Sequence, residues 1–153
     1  MARKEDKPAR QAFNEALKLL AGRDMSSNAL AEKLLSKGFA AKEVDETLSL
    51  LRSKKYLDDG KLASRQAMLY LEKGKGFFYI KHHLRNLGFT EMPEIPAEGE
   101  IDSILEILEK KGQTPAKLRN AKTRVKMMVF LSRRGFRQET IQKALRHFEE
   151  TEG

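Results

Sequence analysis

The chain has 153 residues, and 30 Lys and Arg against 22 Asp and Glu give it a formal net charge of +8. It has no cysteine, which excludes a disulfide scaffold, a zinc finger and thiol catalysis. Unbroken apolar runs such as Met127–Leu131 fall far short of the roughly 20 residues of a membrane span, and the basic start carries no apolar signal region. The composition predicts a soluble, cytoplasmic protein that seeks a polyanion or an acidic protein surface.

Apolar residues recur at helical spacing and strand-like alternation is absent, so the fold is predicted to be all-α. Residues 1–8 read as a flexible start. The first helix is predicted over 9–21, on Phe13, Ala16, Leu17 and Leu20. The second, over 27–37, carries Leu30 and Leu34 behind an N-cap at Ser26, with Met25 stapling onto Leu30. The third, over 41–53, carries Val44, Leu48 and Leu51. Tyr56-Leu57-Asp58-Asp59 then heads a new helix: Asp58 is the N-cap, Asp59 suits the positive helix end, and Leu57 can reach Leu62. Helices over 59–72 and 77–87 follow. Pro93 and Pro96 leave room for one turn at most, then an irregular link through Gly99. The last helices are predicted over 100–111, 117–134 and 137–149, with a frayed end over 150–153.

The chain repeats itself. Gly38-Phe39 returns as Gly88-Phe89 and as Gly135-Phe136, with glycines 50 and then 47 residues apart. A leucine stands four residues before each glycine: Leu34, Leu84 and Leu131. That is one face of a helix that ends at a glycine of positive φ. After Phe39 and Phe136 the apolar pattern also agrees, Val44, Leu48 and Leu51 matching Ile141, Leu145 and Phe148. A period near 50 residues predicts three tandem three-helix repeats, 9–55, 56–99 and 100–149, in an elongated, curved array.

The charge is uneven. Residues 113–148 hold ten basic side chains and one acidic, among them Lys122, Arg124, Lys126, Arg133, Arg134 and Arg137. A second acid-free stretch holds Lys73, Lys75, Lys81 and Arg85, interleaved with Phe77, Phe78 and Tyr79. These ten cations are the predicted partner-binding residues. Lys73-Gly74-Lys75-Gly76 lacks P-loop spacing and is either a flexible basic loop or a glycine-rich helix connection. Adjacent His82 and His83 would point about 100° apart on a helix and cannot share a metal. No catalytic residues, metal site or cofactor are predicted.

Several features together resemble the RecX family. They are Tyr56-Leu57-Asp58-Asp59 heading a helix, Lys73-Gly74-Lys75-Gly76 before a basic helix, and Leu84-x-x-Leu87-Gly88-Phe89. Phe130-Leu131-x-Arg133-Arg134-Gly135-Phe136 followed by Ile141 completes the set, which spans roughly 10–148. The resemblance implies tandem three-helix repeats and a non-enzymatic, monomeric protein. Its implied partners are the RecA recombinase and the groove of the RecA–single-stranded-DNA filament. There it would restrain strand exchange, ATP hydrolysis, coprotease activity and the SOS response. The stretch 90–100 departs from the family, where the third helix of the second repeat is complete. Weak direct DNA binding is possible on the charge map, and the competing class is a helical nucleic-acid-binding protein that uses a basic helix-turn-helix-like repeat without RecA.

Overall fold

Among the residues that the computed structural model describes, 6–151, there are nine α-helices and no strand. They are α1 (Asp6–Gly22), α2 (Ser27–Ser36), α3 (Ala41–Ser53), α4 (Asp59–Glu72), α5 (Phe77–Asn86), α6 (Ala97–Lys110), α7 (Pro115–Leu118), α8 (Ala121–Arg133) and α9 (Gln138–Glu150). The all-α reading holds. The first described helix begins at Asp6; residues 1–5, which make up most of the flexible start expected over 1–8, and residues 152–153 lie outside the described residues.

The chain groups into two compact units. The first takes in the chain up to Ala63 together with Leu84–Met92, and the second takes in Ser64–His83 together with the chain from Pro93. In the first unit α1, α2 and α3 close on Ala16, Leu30, Leu34, Val44, Leu48, Leu51 and Leu57, all buried, with Phe39 packed against them. Ser26 caps α2 as expected: its Oγ accepts from Ala29 N at 3.1 Å and donates to Leu87 O at 2.8 Å. Asp58 caps α4 by accepting from Lys61 N at 3.0 Å. Asp59 does more than suit its own helix end. Its carboxylate also accepts from Ser27 N at 3.0 Å and Ser27 Oγ at 3.1 Å, so one acid serves the positive ends of two helices. Tyr56 is exposed and stands edge-on to Phe13 at 6.5 Å.

In the second unit α6, α7, α8 and α9 bury Ile104, Leu108, Leu118, Met127, Leu131, Phe136, Ile141, Ala144 and Leu145. Two sequence expectations are corrected here. The helix expected from Glu100 starts at Ala97, with Pro96 as its N-cap and Gly99 inside its first turn rather than in an irregular link. A first-turn N–H has no helical partner, so proline at the cap costs nothing. The helix expected over 117–134 is two helices. Thr114 caps α7, with Pro115 at the first helical position, and Asn120 caps α8 by accepting from Lys122 N and Thr123 N. Both caps were in the sequence, but the surrounding apolar spacing masked the break.

The repeated glycine has a single local meaning. Gly38, Gly88 and Gly135 have φ of +96°, +93° and +94°. At each, the following Phe N–H returns to the leucine carbonyl five residues back: Leu34, Leu84 and Leu131. This is the Schellman ending, which satisfies the last helical carbonyls. The chain uses the same ending after α3, but with Lys55 at φ +64° in the glycine's place, and Tyr56 N–H bonding Leu51 O at 2.9 Å. A side chain in that region costs roughly 1 kcal/mol. Lys55→Gly is therefore expected to stabilise the chain by about 0.5–1 kcal/mol in a urea titration. A loss of stability would show that Lys55 makes a contact that matters more than its backbone strain.

Candidate partner-binding surface

The ten cations singled out by charge are divided between the two units. Arg85 falls in the first unit and is exposed. The other nine belong to the second unit, and three of them are held by it.

Arg137 is tied to Glu100, a carboxylate with no solvent exposure. Its Nε donates to Glu100 Oε1 at 2.5 Å, its Nη2 donates to Ile95 O at 2.8 Å, and its guanidinium lies over the Phe77 ring at 4.7 Å. Glu100 also accepts from Thr140 Oγ1 at 3.1 Å, from Phe77 N at 3.1 Å and from Arg137 N at 3.3 Å. Those two backbone donors stand at the starts of α5 and α9. One buried acid thus satisfies two helix N-termini and an arginine, which is what makes its burial tolerable. Arg134 donates to Gly74 O at 2.7 Å and to Lys73 O at 3.1 Å. Arg124 of α8 pairs with Glu149 of α9. These three arginines are therefore held by contacts within the unit, two of them by a carboxylate and Arg134 by backbone carbonyls.

The Lys73–Gly76 stretch is also part of the packing. Gly76 N donates to Arg134 O, and Phe78 N donates to Gly135 O, both at 2.9 Å. Gly74 and Gly76 are buried. Of the two readings that the sequence left open, the structure takes the glycine-rich helix connection. Beside it lies an aromatic cluster. The Tyr79 and His83 rings are parallel at 5.9 Å, and Tyr70 stands edge-on to both at 5.8 and 4.6 Å. Burial first, then neighbouring Tyr79, raise the Tyr70 phenol above its usual pKa, so it stays neutral. Lys75 lies over Tyr79 at 4.7 Å, Lys81 over Phe77 at 5.9 Å and Lys73 over Tyr70 at 5.8 Å. Phe77 is half-buried and Phe78 is exposed.

Lys122, Lys126 and Arg133 remain. All three are exposed on α8, on the side away from buried Met127 and Leu131. None has an ion-pair partner among the described residues. Between Glu109 and Glu139 the chain has ten basic residues and no acidic one. The outward face of α8 therefore presents three exposed cations that no acid of the described residues compensates.

Among the described residues no group of three His, Cys, Asp or Glu side chains converges as metal ligands, and no helix is long and apolar enough to cross a membrane. Sequence reasoning missed Glu100. Nothing in its neighbourhood marks it, because its partners lie 23, 37 and 40 residues away.

Fold and surface together define an all-helical protein of three-helix domains with a concentrated basic face. Residues 12–51 match the model of the RecX first three-helix domain, and residues 98–145 that of the RecX third three-helix domain. The "Regulatory protein RecX" of Pelodictyon phaeoclathratiforme (strain DSM 5477 / BU-1) is 34% identical over 149 residues, covering 92% of this chain and 91% of that protein. The protein of the same description from Pasteurella multocida (strain Pm70) is 28% identical over 144 residues, 90% of this chain and 88% of its own. The crystal structure of RecX from Lactobacillus salivarius shares the fold, with a TM-score of 0.78 at 15% identity over 94% of this chain and 97% of that one. The chain belongs to the RecX family of regulatory proteins.

Proposed function

We infer that the protein is a non-enzymatic, cytoplasmic regulator that binds RecA and its filament on single-stranded DNA. It acts as a monomer and mostly inhibits strand exchange, ATP hydrolysis and coprotease activity, so limiting recombination and the SOS response. The observation that carries this reading, in a chain of this family, is the acid-free basic face of α8. A filament offers acidic protein surface and DNA phosphates together, and several modest contacts on one chain add through linkage. Binding, rather than chemistry, is what uncompensated cations on a rigid helix provide.

The test is RecA ATPase on single-stranded DNA with the protein titrated in. Hydrolysis is expected to fall below equimolar protein, and an unchanged rate up to equimolar overturns the reading. A second reading, direct contact with single-stranded DNA, is favoured by exposed Phe78 and by Tyr79 beside Lys75. Its mark would be binding to naked single strands that weakens steeply with salt and drops on Phe78→Ala.

A further inference from the structure

The outward face of α8 is not only basic. Val125 is 57% exposed and Val129 44%, and half-buried Met128 lies beside them. With Ser132, Arg133 and Gln138 they line an open groove. Around the helix axis, Val125, Met128, Val129 and Ser132 form one strip, while Lys122, Lys126 and Arg133 form the strip alongside. α8 is thus apolar on two opposite sides: Met127 and Leu131 face the core, and the two valines face outward. Exposed valine is a poor choice for a helix surface on propensity alone, since its branched Cβ restricts χ1. A surface that only attracted DNA phosphates would have no use for it.

We propose that this face is a docking groove for an acidic, amphipathic segment of the protein partner. The partner's apolar side chains would seat on Val125, Met128 and Val129, and its carboxylates would meet Lys122, Lys126 and Arg133. The proposal rests on the reading that the partner is the RecA filament, and it assigns this contact to protein rather than to DNA. Charge complementarity selects the occupant. Lys122, Lys126 and Arg133 have no ion-pair partner among the described residues, so a neutral or basic segment would leave them facing nothing that compensates them. The recognition mode is a helix or strand laid against an apolar strip with a charged margin.

The experiment measures binding of the full chain to RecA filaments on single-stranded DNA, with naked single-stranded DNA in parallel and sedimentation equilibrium for the protein alone. The variant Val125→Ala/Val129→Ala improves helix propensity, so it is expected to melt no lower than the parent. Its filament affinity is expected to fall about tenfold or more, as the loss of two seated valines implies. Lys122→Gln/Lys126→Gln is expected to weaken binding and flatten its salt dependence, leaving naked-DNA binding nearly unchanged. Unchanged affinity of the valine variant overturns the proposal, and so does a lysine variant that loses naked DNA and filament in equal measure. A parent chain that self-associates through this face, with the valine variant monomeric, also overturns it in favour of a second copy. A parent chain that binds no filament overturns the proposed function first, and this inference with it.

Discussion

Glu100→Ala is expected to destabilise the chain by about 3 kcal/mol, a fall of roughly 6–12 °C in the midpoint of a thermal circular dichroism melt. The reasoning runs from the donors. Glu100 has no solvent exposure and accepts from the Arg137 guanidinium, the Thr140 hydroxyl and the backbone N–H groups of Phe77 and Arg137. Removing it leaves two helix N-termini and a hydroxyl facing apolar space, each an unmade hydrogen bond costing about 1–3 kcal/mol. Arg137 is partly exposed and can recover some hydration, which keeps the total near the lower end for a broken buried pair. Arg133→Glu, on the open face of α8, is the contrast and should change stability by less than about 0.5 kcal/mol. A loss below about 1 kcal/mol for Glu100→Ala would mean that water replaces the carboxylate at no great cost. The comparison also decides how the partner surface should be probed. Charge reversal at Arg137 would disturb the fold itself, whereas reversal at Lys122, Lys126 or Arg133 would not.

Gly76→Ala is expected to cost about 3 kcal/mol or more. A Cβ at Gly76 would stand 2.4 Å from Phe136 N and 2.6 Å from Gly135 C, both backbone atoms of a packed turn. Neither side can yield without breaking the bonds from Gly76 N to Arg134 O and from Phe78 N to Gly135 O. Overpacking at about 1–3 kcal/mol adds to two weakened hydrogen bonds at about 0.5–1.5 kcal/mol each. Gly38→Ala separates space from backbone conformation: φ there is +96°, yet a Cβ would meet nothing within 4 Å. Only the left-handed strain remains, about 1–2 kcal/mol. Urea titrations of the two variants should differ by at least about 1 kcal/mol. Equal losses would show that conformation, not contact, governs Gly76.

How much of this was legible in advance differs by element. The Schellman endings at Gly38, Gly88 and Gly135 could be read from a glycine four residues after a leucine, because the ending is built within one turn of helix. The caps at Ser26 and Asp58 could be read for the same reason. The break at Asn120 was written locally too, yet apolar spacing running past it concealed it. The second apolar side of α8 left one sign in the sequence, the run Met127–Leu131. Five consecutive apolar residues wrap a helix and cannot all face one core.

The sequence by itself determined the helical class, the repeat, the helix endings and the stretch where positive charge concentrates. Each of these depends on residues within a turn or two of one another, or on a simple count. Only the tertiary structure decided which cations the fold itself holds. Arg134 and Arg137 read like Arg133 along the chain, but Gly74 O, Ile95 O and Glu100 claim them from 37 to 60 residues away, and no local pattern encodes a partner at that separation. The open face of α8 keeps Lys122, Lys126 and Arg133 exposed. Its two exposed valines give it a chemistry that the count could not express.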